Sequence, residues 1–170
     1  MAACCPKRAR AKPEQVTCIA AIRQARKALD DVGMSGKITL IYAGGIRNGT
    51  DVAKAIALGA DAVAIGHSAM MALNCNKDIP EADYESEIGV EAGYCYHCHT
   101  GRCPVGVATQ DPELRKRLDP DEAAERVYNF LHTLTLECQM MARACGKTDV
   151  HSLEPEDLAA LTMEASALAM

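Results

Sequence analysis

Tryptophan is absent from these 170 residues and phenylalanine occurs once, leaving aromatics at 4% of the chain. A β-sandwich, whose core draws on large flat side chains, matches that composition poorly. No apolar run approaches the ~20 residues that span a bilayer, and nothing resembles the apolar core and small-residue cleavage site of a secretory leader. The expectation is a soluble, cytoplasmic protein with no membrane contact. Basic charge is also scarce: Lys and Arg number 18 against 23 Asp and Glu, a net charge of −5, and the one basic cluster is Lys7, Arg8, Arg10 and Lys12. That distribution provides no face for nucleic acid or anionic lipid and leaves small-molecule chemistry or protein partners. Internal repeats and low-complexity segments are missing too. What is abundant is small and aliphatic: hydrophobic residues make up 49% of the chain, enough for a sizeable core of helices and helix-covered strands.

Along the chain, residues 1–16 are Pro- and Lys/Arg-rich without apolar periodicity and read as a disordered basic tail. From Thr17 the spacing of Ile19, Ile22, Ala25, Ala28 and Leu29 predicts an amphipathic helix stopped at Gly33. The β-branched run 38–43 then reads as a strand buried on both faces. Thr50 or Asp51 is positioned to cap a helix through Leu58, and residues 62–65 form a second buried strand before a short helix at 68–73. Strands alternating with helices through short connections pair in parallel. Two strands leave edges and apolar faces bare, so the segment is expected to belong to a larger barrel or sheet. Residues 76–118 read as a long functional loop. Asp119-Pro120 opens a long helix running to Gly146, and Ser152–Asp157 announces a further one through Leu168. The expected divisions are therefore 1–16, 17–75, 76–118 and 119–170.

Two glycine corners follow the strands, Gly44-Gly45-Ile46-Arg47 and Gly66-His67-Ser68. Glycine lets a backbone approach a phosphate and turn its N–H groups toward it, and a short helix adds a favourable dipole. In a (β/α)₈ barrel the phosphate site lies between the loops after strands seven and eight, and Arg47 is placed to supply the counter-charge. Each corner alone is ordinary turn punctuation. His67 reads equally as an exposed histidine at a helix start, and Asn48, Asp51 and Asp61 as caps and turn formers.

Three of the nine cysteines fall within nine positions, as Cys95-x₂-Cys98-x₄-Cys103-Pro104. Closely spaced thiolates on one loop can wrap an iron–sulfur cluster, and a proline after the last cysteine recurs in ferredoxin-type ligation. Zinc competes, because Cys₃His is a common closed site and His97 and His99 are adjacent. Spacing alone does not separate the two metals. Cys75 is a candidate fourth ligand, whereas Cys18, Cys138 and Cys145 read as core residues.

Residues 43–51 (AGGIRNGTD), 58–66 (LGADAVAIG) and 98–111 (CHTGRCPVGVATQD) resemble the end of the FMN-binding synthase domain of the glutamate synthase family, including its archaeal-type members and the subunit of N-methylglutamate synthase. The similarity runs from about Thr17 to the C-terminus. It implies an α/β fold, the C-terminal βα units of a truncated (β/α)₈ TIM barrel followed by a cysteine-rich loop and a helical segment. It also implies FMN and a [3Fe-4S] cluster serving the reductive amination of 2-oxoglutarate with ammonia or glutamine-derived nitrogen. Carried over by position, Gly44, Gly45, Ile46 and Arg47 match the flavin phosphate loop after strand seven, and Gly66 and His67 the loop after strand eight. Cys98 and Cys103 match two cluster ligands. The large-subunit pattern has its first cysteine six residues before the second, where this chain has Ala92, so Cys95 takes that role. Other synthase subunits or a barrel half, and ferredoxin or an NAD(P)H-dependent subunit as electron donor, are the implied partners. Six of the family's eight βα units are missing from the pattern, so the chain is expected to be inactive alone. The alternative is a non-catalytic fragment or an electron-transfer or metal-binding module.

Overall fold

The computed structural model describes residues 13–75 and 97–169. They fall into two compact units, one of residues 13–66 with 132–169, the other of residues 67–131 apart from the undescribed stretch. The segment 76–96, including Cys95, lies outside the described residues, as do residues 1–12 of the expected tail. No helix among the described residues is long and apolar enough to cross a membrane.

In the larger unit, helix α1 (Pro13–Asp31) is followed by β1 (Ile41–Ala43), α2 (Gly49–Ala57) and β2 (Ala62–Ala64). α1 starts four residues before the expected position, because proline's fixed φ and missing N–H suit the first helical position. β1 and β2 pair in parallel, Ile41 opposite Ala62, Tyr42 opposite Val63 and Ala43 opposite Ala64. This is a mixed helix and sheet architecture with a small parallel sheet. The strands are shorter than the apolar runs that announced them and are not buried on both faces: Ile41 is 58% exposed. The ladder has two strands among the described residues, and Ile41, Ala43 and Ala64 stay exposed on it.

α2 is the centre of the core. Val52, Ala53, Ala55, Ile56 and Ala57 are all buried, and they cluster with Ile22 of α1, Ile46, Leu58, Ala60, and Cys138 and Ala142 of a long C-terminal helix. Its N-cap is Asn48, whose side-chain oxygen accepts from the Asp51 N–H at 3.0 Å, so neither Thr50 nor Asp51 caps it. Gly49 explains the shift. Its backbone lies directly on that long helix, where a Cβ would come within 2.5 Å of the Cys138 nitrogen, and its N–H donates to Glu137 Oε2 at 2.8 Å. The turn from α2 into β2 is stapled by α1. Arg26 donates from Nε to the Gly59 carbonyl at 2.8 Å and pairs with Asp61 at 2.7 Å, while the same carboxylate accepts from the Leu40 N–H at 2.7 Å.

The smaller unit contains α3 (His67–Ala72), α4 (Pro112–Arg115) and the first half of α5 (Pro120–Ala144), the long helix just mentioned, whose second half belongs to the larger unit. Asp119 caps α5 as its sequence indicates, accepting from the N–H groups of Asp121 and Glu122 at 3.0 and 3.2 Å. The helix ends at Gly146, with the Lys147 N–H returning to the Ala142 carbonyl at 2.9 Å. Cys138 is buried, and burial pushes its thiol pKa up. Cys145 is exposed rather than in the core, because it sits in the turn just past the last helical residue.

The continuous helix expected from Ser152 to Leu168 is replaced by two 3₁₀ turns, Val150–Ser152 and Pro155–Asp157, and a short α6 (Met163–Ala169). The acidic residues that read as a helix start are held elsewhere. Lys147 Nζ reaches Glu154 at 2.9 Å and Asp157 at 2.8 Å and donates to the Ser152 carbonyl at 2.6 Å, and Leu158 then turns extended.

Replacing Gly49 with Ala should destabilise the larger unit despite alanine's better helix propensity. Propensity gains at most ~1 kcal/mol, whereas forcing a methyl against helix backbone costs about 1–3 kcal/mol or more; the midpoint of denaturant unfolding should fall. Acid should act through Asp61. The Leu40 N–H and then Arg26 hold its carboxyl below the ordinary aspartate value. The resulting stability is present above the unfolded-state pKa, near ~3.9, and is lost as pH falls through the depressed folded value. Asp61→Asn should therefore show a shallower loss of stability below about pH 4 than the parent chain.

Candidate functional site

The register of the parallel ladder decides where the two glycine corners lie. Ala43 and Ala64 are the last paired residues, so Gly44 and, two residues on, Gly66 leave the sheet at the same edge. Gly44 and Gly45 have φ of +125° and +70°, a region that L side chains rarely adopt, and no heavy atom lies within 4 Å of where a Cβ would stand on either. Gly66 has the same open space. An approaching group can therefore reach backbone at this edge without meeting a side chain.

Not all of the corner's groups face outward. Ile46 is buried in the core, so its side chain anchors the loop. The Arg47 N–H donates to Asp51 Oδ2 at 3.1 Å, and the N–H groups of Gly49 and Asp51 are committed to Glu137 and Asn48. Three N–H groups at the start of α2 are thus committed within the protein. The glycine backbone and the Arg47 side chain, which is 76% exposed and only loosely paired with Asp51 at 3.7 Å, are open to an anion. His67, the first residue of α3, is exposed and belongs to the smaller unit, whereas Gly66 belongs to the larger one.

Within the smaller unit, the described part of the cysteine loop begins with a 3₁₀ turn, His97–His99, bearing an exposed Cys98. Cys103 is buried at 4% exposure, and Pro104, Val105 and Thr109 are buried around it. Thr109 pins the loop closed: its hydroxyl donates to the Gly101 carbonyl and accepts the Asp111 N–H at 3.0 Å, beside an antiparallel bridge between Arg102 and Thr109. Asp111 then caps α4, accepting from Glu113 and Leu114 at 2.8 and 3.2 Å. Beyond α4, Arg117 Nη1 donates to the Pro104 carbonyl at 2.7 Å. Among the described residues no three His, Cys, Asp or Glu side chains converge, so His97 and His99 do not form a mixed set with Cys98 and Cys103. The donors that the described loop offers are two thiols, a soft set that suits iron or zinc. Cys95 lies outside the described residues.

Residues 10–79 and 85–148, which carry both corners and all three loop cysteines, match a protein family described as the conserved region in glutamate synthase. The chain belongs to the glutamate synthase family. It is 55% identical over 151 residues to a glutamate synthase large subunit-like protein of Rhizobium meliloti, covering 89% of this chain and 34% of that protein. It is 42% identical over 133 residues to the archaeal glutamate synthase [NADPH] of Methanocaldococcus jannaschii, covering 78% of this chain and 23% of the relative. With the archaeal-type glutamate synthase [NADPH] of Thermotoga maritima it shares 37% identity over 133 residues, with the same coverage. The chain thus spans between about a quarter and a third of these relatives. No solved structure matches it.

Within this glutamate synthase region, sequence reasoning missed Thr109, Asp111 and Arg117. Asp111-Pro112-Glu113 is a helix-start pattern and was open to detection. Nothing in the sequence marks Arg117 apart from its neighbours Arg115 and Lys116. Thr109→Val keeps shape and loses the hydroxyl, leaving the Gly101 carbonyl and the Asp111 N–H without that partner, at a cost of ~1–3 kcal/mol. Amide hydrogen exchange over residues 101–111 should speed up by about tenfold or more.

Proposed function

We propose that the chain forms the last two βα units and the following cysteine loop of the FMN-binding barrel of a glutamate-synthase-type oxidoreductase. The observation that carries this is the β1–β2 register, which brings the turns after consecutive parallel strands to one edge, the arrangement that a (β/α)₈ barrel uses for phosphate after its seventh and eighth strands. Gly44, Gly45, Ile46 and Arg47, with Gly66 and His67, form the FMN phosphate grip. The glycines admit the phosphate to the backbone, Ile46 anchors the loop in the core, and Arg47 balances the charge. Cys98 and Cys103, with Cys95, hold a [3Fe-4S] cluster, and Cys75 is kept as a candidate fourth ligand.

The net reaction condenses 2-oxoglutarate with ammonia, free or glutamine-derived, releasing water and forming 2-iminoglutarate, which takes up two electrons and two protons to become glutamate. FMN and the cluster, when bound, carry those electrons from ferredoxin or an NAD(P)H-dependent subunit. This chain's residues bind and position; none is assigned to a proton transfer. The bare sheet face at Ile41 supports a further reading, that the chain does not turn over by itself. Additional βα units, elsewhere on the polypeptide or on another subunit, complete the barrel and supply the isoalloxazine and 2-oxoglutarate contacts. Without them the chain behaves as a cluster-binding module.

Anaerobically purified chain should be brown, with iron and inorganic sulfide near cluster stoichiometry, and should retain little FMN until it is co-expressed with the products of neighbouring genes. Zinc in place of iron by elemental analysis would reject the cluster, and stoichiometric FMN on the chain alone would show that no further βα units are needed to bind the flavin.

A further inference from the structure

We propose that Arg117 is a positioning residue for the cysteine loop, fixing where the Cys103 thiolate stands and setting a permanent positive charge beside it. The inference rests on the reading of Cys95, Cys98 and Cys103 as cluster ligands. Two ties lie within the loop itself: Thr109 closes residues 101–111, and the Gly106 N–H returns to the Cys103 carbonyl at 3.2 Å. Arg117 reaches in from a separate element beyond α4 and takes the carbonyl of the residue immediately after Cys103. That residue is Pro104, whose side chain is fully buried and which has no N–H of its own, so its carbonyl is the polar group by which this stretch of backbone can be held. A guanidinium suits the task, because it stays charged at any working pH and donates in a fixed fork. Removing it frees the Cys103–Pro104 peptide to move with the thiolate attached. It also removes a cation near an anionic cluster, whose potential responds to local charge and hydrogen bonding. Arg126 provides the contrast: it lines the same shallow recess as Arg117, with Asn74, Asp119 and Glu122, but donates to the Ala72 carbonyl at the end of α3, at 3.2 Å.

The test compares the full chain, purified anaerobically, with Arg117→Met, Arg117→Lys and Arg126→Met. Iron release to a chelator, the midpoint potential, and the electron paramagnetic resonance signal of the oxidised cluster are measured. Arg117→Met should release iron about 10-fold faster or more, shift the potential downward and change the resonance line shape. Arg117→Lys, which keeps charge but loses the fork, should hold the potential closer to the parent value than it holds the iron. Arg126→Met should match the parent on all three. Parent-like release and potential in Arg117→Met overturn the proposal, as does an equal effect of Arg126→Met, which marks general loosening of the unit. Where Arg117→Met fails to fold, Arg117→Lys decides: faster iron release supports the role and parental release overturns it. Zinc in the unsubstituted chain sinks the cluster reading on its own, and zinc release from the same variants then decides whether Arg117 positions the loop.

Discussion

Parallel pairing of two short strands is the constraint on which the rest depends. Strands that run the same way need a crossover, and the crossover here is α2, which packs one face into the core and leaves Lys54 exposed on the other. The side chains it buries are small, three alanines with Val52 and Ile56. It must also meet its neighbours at close range, which is why glycine stands at position 49 against the backbone of α5. The same pairing sends both following turns to one edge. The corner proposed for phosphate is thus a consequence of topology, with the glycines there to keep the edge open.

What was legible in the sequence was what local chemistry writes down. Asp119-Pro120 opens α5 and Gly146 ends it, and the short helix after Gly66 is where its pattern put it. The parallel order of the strands followed from their alternation with a helix. What was not legible came from partners distant in sequence. Asn48 caps α2, although Thr50 and Asp51 are equally plausible caps in isolation, because Gly49 has to lie on Glu137 and Cys138, 88 or more residues away. The acidic stretch 154–157 carries a sound helix-start signature, yet Lys147 takes its carboxylates and turns it into a 3₁₀ corner. Within the site, the cysteine spacing and the glycine corners were readable from residue type and interval. Thr109 and Arg117 were not, since a hydroxyl and a guanidinium take their roles from the carbonyls they face.

The apolar surface left over bears on what the chain is for. Ile38 and Ile41 on the strand side are exposed, and so are Tyr128, Leu131, Leu136 and Met140 along α5. Isolated exposed aliphatics are normal. A parallel ladder with a bare face is not, because parallel sheets are covered on both sides in nearly all proteins that contain them. The chain spans about a quarter to a third of the family relatives it matches, and in the reading proposed above further strands cover that face. Burial of such a face is worth about 25 cal/mol for each Å² removed from water, so a covered ladder is favoured over a bare one.

The two halves of the proposed site differ in what they require of that completion. Hydrogen bonds from Thr109, Asp111 and Arg117 hold the described part of the cysteine loop within the smaller unit. Those ties do not depend on further strands. The glycine corner of the larger unit is held in the opposite way, open rather than closed: no heavy atom stands within 4 Å of where a Cβ would lie on Gly44, Gly45 or Gly66.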